Sequence, residues 1–403
     1  MQKAVRISKY VYWVGAIDWN VRNFHGYQTK RGSTYNAYLI LGEKVGLIDT
    51  VKAPFREEML ARIRSVIDPQ TIDVIVSNHA EMDHTGCLPD VIREVKPRAV
   101  YASAMGAKVL REMYALDCEI TPVKDEDTIS LGNYNLTFLE TRMLHWPDSM
   151  FTYLEEENIL FSQDAFGMHY ASAERFDSSI PQSVLEHEAA TYYANILLPY
   201  SPLVTKLLHN VGSLGLTIKT IAPDHGPIWR KNVPWIMEKY GEWAAQKPTA
   251  KAVIIYGSMW KNTEKMACSI AEGLSSEGIE VKFMCADCCH RSDIMPELLD
   301  AAAVIIGSST LNNNILPQMA DILTYMKGLK PKNLMGFAFG SYGWSGEAAD
   351  HIHGMMKEMG IKMMGDAVKA KNAPADGVLK LCYERGQVLA QEIHAMCLVE
   401  GIR

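Results

Sequence analysis

Short apolar runs separated by turn-rich segments fill the first part of the chain. "TYNAYLILG", "KVGLIDT", "TIDVIVSNH", "RAVYAS", "NLTFLET", "NILFSQD" and "KTIAPDH" each read as a β-strand, and many end on a polar or ligand-type residue. A helical-looking stretch over 234–246 then runs into Lys247-Pro248-Thr249. Proline pushes the residue before it out of helical conformation, so a domain boundary is predicted between 248 and 249. Beyond it the pattern becomes regular strand–helix alternation: "AVIIYGS", "NTEKMACSIAEGLSSEG", "IEVKFMCA", "AAAVIIGSST" and "LMGFAFGSYG". That alternation predicts an α/β domain over 249–403 with a doubly wound parallel sheet, following a strand-rich domain over 1–248.

Composition narrows the class. The 403 residues can fill two or three cores at ~150 residues each. A charged fraction of 22% beside 48% hydrophobic residues is that of a soluble globular protein. The net charge of -7 argues against nucleic acid as a main partner, since phosphate binding needs a basic face. No apolar run approaches the ~18 residues of a membrane span, and the N-terminus lacks the apolar core of a secretory signal. A cytoplasmic location is therefore expected. The eight cysteines are scattered, which suits a reducing compartment. Cys285 and Cys288 are spaced C-x-x-C, but no second pair completes a zinc site, so they read as structural thiols.

The chemistry concentrates in "SNHAEMDHTG", residues 77–86, where His79, Glu81, Asp83 and His84 follow an apolar strand. Further on, "RMLHWPDS" supplies His145, "LFSQDAFG" supplies Asp164 and "IAPDHGPI" supplies His225; the last two also end strand-like runs. Four imidazoles and three carboxylates exceed what one tetrahedral zinc takes, and suit two metals sharing a bridging carboxylate. Mixed imidazole and carboxylate donors suit iron with open positions for a small molecule.

Three loops of the second half point to a different ligand. "GSMWKNTEK" places Ser258, Met259, Trp260, Asn262 and Thr263 between a strand and a helix N-terminus, which suits a phosphate. "IGSSTLNNNILP" adds Ser309, Thr310, Leu311, Asn312 and Asn313, and "FGSYGWSGEA" adds Ser341, Tyr342, Gly343 and Trp344. Ligands of doubly wound sheets bind beyond the carboxyl ends of the strands, where these loops would meet. Trp260, Tyr342 and Trp344 could stack on a planar ring.

"NHAEMDHTG", "HWPDS", "SQDAFG" and "PDHG" together resemble the metal motifs of the metallo-β-lactamase superfamily. The form H-x-E-x-D-H, with Glu81 in the middle, resembles the flavodiiron proteins, and the loops beyond 249 resemble flavodoxin, whose ligand is FMN. This resemblance spans nearly the whole chain. It implies an αββα sandwich followed by a flavodoxin-like domain, two Fe ions and FMN as cofactors, and reduction of O2 to water or of NO to N2O. In the family arrangement the first iron takes His79, Glu81 and His145, the second takes Asp83, His84 and His225, and Asp164 bridges them. His84 is not a ligand in every member. His25 and Tyr193 resemble residues beside the metals able to hydrogen-bond a bound diatomic molecule, with the adjacent Tyr192 an alternative to Tyr193.

Nothing after the flavodoxin-like part resembles a rubredoxin or flavin-reductase extension, so the resemblance implies an external electron donor, expected to be rubredoxin. It also implies a head-to-tail homodimer or a dimer of dimers. Two other readings compete: a zinc-dependent hydrolase carrying a flavodoxin-like domain, and a redox-sensing flavoprotein with a vestigial metal site. Glu81 weighs against the hydrolase, because a carboxylate in place of an imidazole suits iron that changes oxidation state.

Overall fold

The computed structural model describes residues 2–116 and 118–399. The chain divides into two compact units, Met1–Tyr192 with Tyr200–Gly241, and Tyr193–Pro199 with Glu242–Arg403. The second unit thus begins before the proline boundary and takes in a short segment of the first half. One reason is local packing: the rings of Tyr193 and Trp243 lie 5.5 Å apart.

Two sheets build the first unit. The larger runs in the order Val5–Arg6, Val11–Trp13, Tyr38–Leu41, Val45–Ile48, Ile72–Ser77, Ala99–Ser103, Ile120–Val123. It is antiparallel up to Val45–Ile48 and parallel from there on. The smaller runs Thr128–Ser130, Asn135–Glu140, Met150–Leu154, Ile159–Gln163, Thr220–Pro223, with only the last pair parallel. Alternation along the strands sorts the side chains between two cores. Tyr38, Ile40, Val74 and Val76 meet Leu136, Phe138 and Phe161 of the smaller sheet. Leu39, Leu47 and Ile75 point the other way, onto Met59, Ile63, Val91 and Leu110 of the covering helices. On the outer side of the smaller sheet, Phe151 stacks on Phe166, which lies 4.4 Å from Tyr240 of helix Val233–Ala245. This is the expected αββα sandwich.

The second unit holds a parallel sheet in the order Glu280–Cys285, Thr249–Gly257, Ala301–Ser309, Ala338–Tyr342, Val368–Lys371. Numbered along the chain, that is the 2-1-3-4-5 order of doubly wound folds. The central strands are buried on both faces, which explains their unbroken apolar runs. One face is covered by helices Asn262–Ser276 and Asp376–Val399. These two cross at Gly273 and Gly386, where a Cβ on Gly273 would lie 2.1 Å from the Tyr383 carbonyl oxygen. Among the described residues, no helix is long and apolar enough to cross a membrane.

Candidate functional site

Strand Ile72–Ser77 delivers the first donors. Just past its end, buried Asn78 is clamped from both sheets: its N–H donates to Asp49 Oδ1 at 2.7 Å, its side-chain amide to Asp49 Oδ2 at 2.8 Å, and it accepts from Thr152 Oγ1 at 2.6 Å. His79 and Glu81 follow, and the short helix Met82–Thr85 carries Asp83 and His84 inward. Asp164 and His225 leave the adjacent parallel strands Ile159–Gln163 and Thr220–Pro223. The Gln163 carbonyl fixes that neighbourhood by accepting from Asp224 N–H at 2.8 Å. His145 comes from the loop between Asn135–Glu140 and Met150–Leu154, whose Leu144 carbonyl accepts from the Gln163 side chain.

All seven donors converge, in two groups. Around one point, His79 Nε2 and His145 Nε2 stand 3.3 and 3.2 Å from Glu81 Oε2, and 3.3 and 3.0 Å from Asp164 Oδ2. Around the other, His84 Nε2 and His225 Nε2 stand 3.3 and 3.1 Å from Asp83 Oδ2, and 3.2 and 3.3 Å from Asp164 Oδ1. Each oxygen of Asp164 therefore serves a different group. Donors ~2.0–2.2 Å from a shared metal stand ~3.0–3.5 Å from each other, so both groups have coordination dimensions.

The outer edges of the imidazoles are anchored. His79 Nδ1 donates to Asp148 Oδ2 at 3.1 Å, and the same oxygen accepts Ala80 N–H at 2.6 Å. His84 Nδ1 lies 3.2 Å from Asp224 Oδ2, and His225 Nδ1 donates to the Thr34 carbonyl at 2.6 Å. The hydrogen bonds on His79 and His225 fix the tautomer and leave those Nε2 lone pairs directed at the cluster, while Asp224 acts on His84 through charge alone. Asp83, Asp164 and the Nε2 atoms of His84, His145 and His225 are buried without a well-aligned hydrogen-bond partner. Buried polar atoms in that condition are costly unless a cation satisfies them. The donor set therefore fits two metal ions.

Electrostatics agree. Burial pushes the Asp164 carboxyl up, but His84, His145 and His225 outweigh it and hold it well below the usual range. Glu81 is likewise depressed against the effect of burial, by His145, His25 and His79. Burial pulls the imidazoles down, yet Asp83, Asp164 and Asp224 lift His84 to about 9, and Asp164 and Asp83 lift His225 to about 10. The carboxylates thus demand positive charge at the imidazole edges, and a metal cation supplies it in place of protons.

His25 belongs here too: its Nε2 donates to the other Glu81 oxygen at 3.0 Å. Tyr193 does not. Its ring packs against Trp243 in the second unit, whereas the neighbouring Tyr192 ring lies 5.1 Å from His169 and 6.1 Å from His225. Tyr192 is fully buried and its hydroxyl has no hydrogen-bond partner. The helix turns about 100° per residue, so adjacent tyrosines serve different cores. His169 went unrecognised in the sequence. It stands 2.7 Å from Ser33 Oγ and 3.4 Å from His25 Nδ1, and burial together with His225 and His25 keeps it neutral. Asp148 and Asp224 were also missed, although each lies inside a motif already singled out, "HWPDS" and "PDHG".

In the second unit the three loops meet around a hollow of about 310 Å3. It is lined by Met259, Trp260 and Asn262, by Ser309–Asn312, by Ser341–Trp344, and by Asn372 and Ala373 from a fourth loop. Ser258, Thr263 and Asn313 are not part of the lining: Thr263 is buried, Ser258 half-buried and Asn313 exposed. Thr263 Oγ1 ties the loops together, 3.0 Å from Ser309 Oγ and 2.8 Å from Ser341 Oγ. Ser258 Oγ accepts from Glu264 N–H at 3.4 Å, and Asn313 donates to Glu347 Oε1 at 3.0 Å. Trp260 and Trp344 are 82% and 84% exposed, an unusual cost for indoles that a planar partner relieves. Helix Asn262–Ser276 opens on the hollow, and the side chain of its N-cap residue Lys261 makes no capping hydrogen bond. These features fit a flavin mononucleotide: donors for a phosphate, aromatic faces for a ring.

Comparison with known proteins covers both halves. Residues 34–226 match the ODP family of β-lactamases, and residues 254–386 match the Flavodoxin family. The chain is 44% identical to a nitric oxide reductase of Moorella thermoacetica, over 98% of this chain and 100% of that protein. Its structure superposes on the rubredoxin oxygen:oxidoreductase of Desulfovibrio gigas with a TM-score of 0.95 and 44% identity, covering 98% of this chain and 99% of the other. It also matches the flavodiiron protein of Giardia intestinalis, with a TM-score of 0.94, 33% identity and 98% coverage of each chain.

Proposed function

This chain belongs to the flavodiiron protein family, and on that premise we propose that it reduces O2 to water, NO to N2O, or both, at a non-haem diiron centre. His79, Glu81 and His145 would hold one iron and Asp83, His84 and His225 the other, with Asp164 offering one oxygen to each group. The observation that carries this reading is the division of Asp164, one oxygen to each donor group. The relatives are named as reductases, so the zinc-hydrolase alternative gives way, as does the vestigial site.

When bound, ferrous ions and reduced flavin together supply the four electrons that O2 requires, or the two that a pair of NO molecules requires, with Lewis acidity at the metals. The protein supplies position and polarity. Asp148, Asp224 and the Thr34 carbonyl keep the imidazoles turned inward. Glu81 brings a negative charge and a hard oxygen, which favour the ferric state over what an imidazole would give. His25 holds a proton on Nε2 against Glu81 and limits the side chain to one orientation. Tyr192 and His169 close the inner wall. On the other side Glu81 and His145 keep part of their side chains exposed, which gives a diatomic molecule an approach. In the second unit, Trp260 and Trp344 would offer aromatic faces to the flavin ring, and the N-terminus of helix Asn262–Ser276 would offer donors to its phosphate.

Rubredoxin is the proposed electron donor, supported by the name of the Desulfovibrio relative. A head-to-tail homodimer in the cytoplasm completes the reading. The test is rapid mixing of the fully reduced protein with dissolved O2 or NO, after metal analysis. Iron in the cluster and flavin reoxidation accelerated by at least one gas are expected. Two zinc ions per chain, or no acceleration by either gas, would overturn the proposal.

A further inference from the structure

Cys285 ends the edge strand Glu280–Cys285, in register with Tyr256 on the neighbouring strand. The chain then turns: the N–H groups of Cys288 and Cys289 both donate to the Cys285 carbonyl, at 3.0 and 2.9 Å. A turn closed by an i to i+3 bond keeps its end Cα atoms within ~7 Å, and a disulfide requires them ~4.4–6.8 Å apart. The two sulfur-bearing residues therefore stand at the two ends of one closed turn, with Cys285 paired beside Tyr256. Cys285 is half-buried and Cys288 exposed. A metal fits poorly. Among the described residues, every group of three or more clustered His, Cys, Asp or Glu donors lies in the first unit. The nearby His290 imidazole is engaged with Ser292 at the start of helix Arg291–Ile294.

We propose that Cys285 and Cys288 form a reversible dithiol–disulfide couple whose oxidant is hydrogen peroxide. The Cys288 sulfur attacks one peroxide oxygen, the O–O bond breaks, and hydroxide leaves as Cys288 becomes a sulfenic acid. The Cys285 sulfur then attacks the sulfenic sulfur, the S–O bond breaks, and a second hydroxide departs. The two thiol protons complete two waters, so two sulfurs lose one electron each and the peroxide gains both. Exposure makes Cys288 the attacked residue, and the turn makes Cys285 the resolving one. The neighbouring Cys285, and beyond it Cys289 and Asp287, hold the Cys288 thiol above its usual range. A dithiol not stabilised as thiolate gives a weakly oxidising disulfide, which persists until a strong reductant meets it. The couple does not depend on the metal centre or on the function proposed above.

The test uses the full chain with its cofactors, reduced with dithiothreitol, desalted and treated with hydrogen peroxide before alkylation with a maleimide. The tryptic peptide 283–291 is expected to carry one maleimide instead of three and to weigh two hydrogens less, with the change reversed by dithiothreitol. Cys288→Ser abolishes the link, and Cys285→Ser leaves a Cys288 sulfenic acid that dimedone captures. Exposed Cys268 serves as the internal gauge of peroxide dose. Full alkylation of Cys288 at doses that oxidise Cys268 would overturn the proposal. So would a link to Cys289, or over-oxidation of Cys288 without any link.

Discussion

The metal centre and the flavin hollow solve opposite problems. The first gathers seven charged or titratable side chains into the interior of a sandwich, where Asp148 holds His79, the Thr34 carbonyl holds His225, and Asp224 faces His84. The second lies at the surface and relies on loop backbone, hydroxyls and two indoles that remain exposed. The contrast follows from the ligands. A small cation repays desolvated carboxylates only if several donors reach it at once, so its site must be rigid before it binds. A large planar cofactor brings its own apolar area, so its site can be shallow and finished by the ligand itself.

The sharpest way to break the comparison is Asp164→Ala. One residue serves both donor groups, so both irons are expected to be lost together, while flavin content, read by absorbance, stays normal. Gas reduction should fall by more than the ~100-fold that marks the upper end for outer partners of metal ligands. If one iron survives at full occupancy, Asp164 is not the bridge.

Asp148→Asn probes the next layer. It leaves every donor in place and weakens only the anchor on His79, with an expected loss of ~10–100-fold in iron affinity or turnover. Iron release to a chelator measures this, and unchanged release would mean the outer layer is not what makes the centre rigid. The smallest effect belongs to the hollow. Trp344→Ala removes one stacking face and should cost ~1–3 kcal/mol, or ~5–150-fold in FMN affinity. Flavin fluorescence titration reads it, and iron content is expected to be untouched.

Much of the centre was legible before folding was considered. His79, Glu81, Asp83 and His84 lie within one short stretch, and His145, Asp164 and His225 stand beside motifs that follow apolar runs. Strand ends are where a sequence announces its sites, because the apolar run stops where the core stops. Tyr193 was misplaced because adjacent helical residues face different cores, and both positions read as tyrosine. His169 was invisible as a lone histidine; only the approach of Ser33 and His25, distant in sequence, gives it a place. Asn372 and Ala373 join the hollow because strand Val368–Lys371 pairs beside Ala338–Tyr342, a register that no local pattern states. The domain division moved for a related reason: Pro248 marks where helical conformation must end, whereas Trp243 and Tyr193 decide which core the last helical turn serves.

The sequence by itself thus determined which chemistry is present: imidazoles and carboxylates in number for two metals, a carboxylate at 81 suited to iron, and aromatic loops suited to a flavin. These follow from residue identity and local periodicity, which the chain carries without folding. Tertiary structure alone decided how Asp164 is shared, since its two oxygens acquire different partners only when three strand ends and a loop converge. It also made a peroxide-accessible thiol pair of Cys285 and Cys288, by closing a turn at the edge of a sheet. Directions of side chains and distances between remote segments are properties of packing, and packing is settled only by the whole fold.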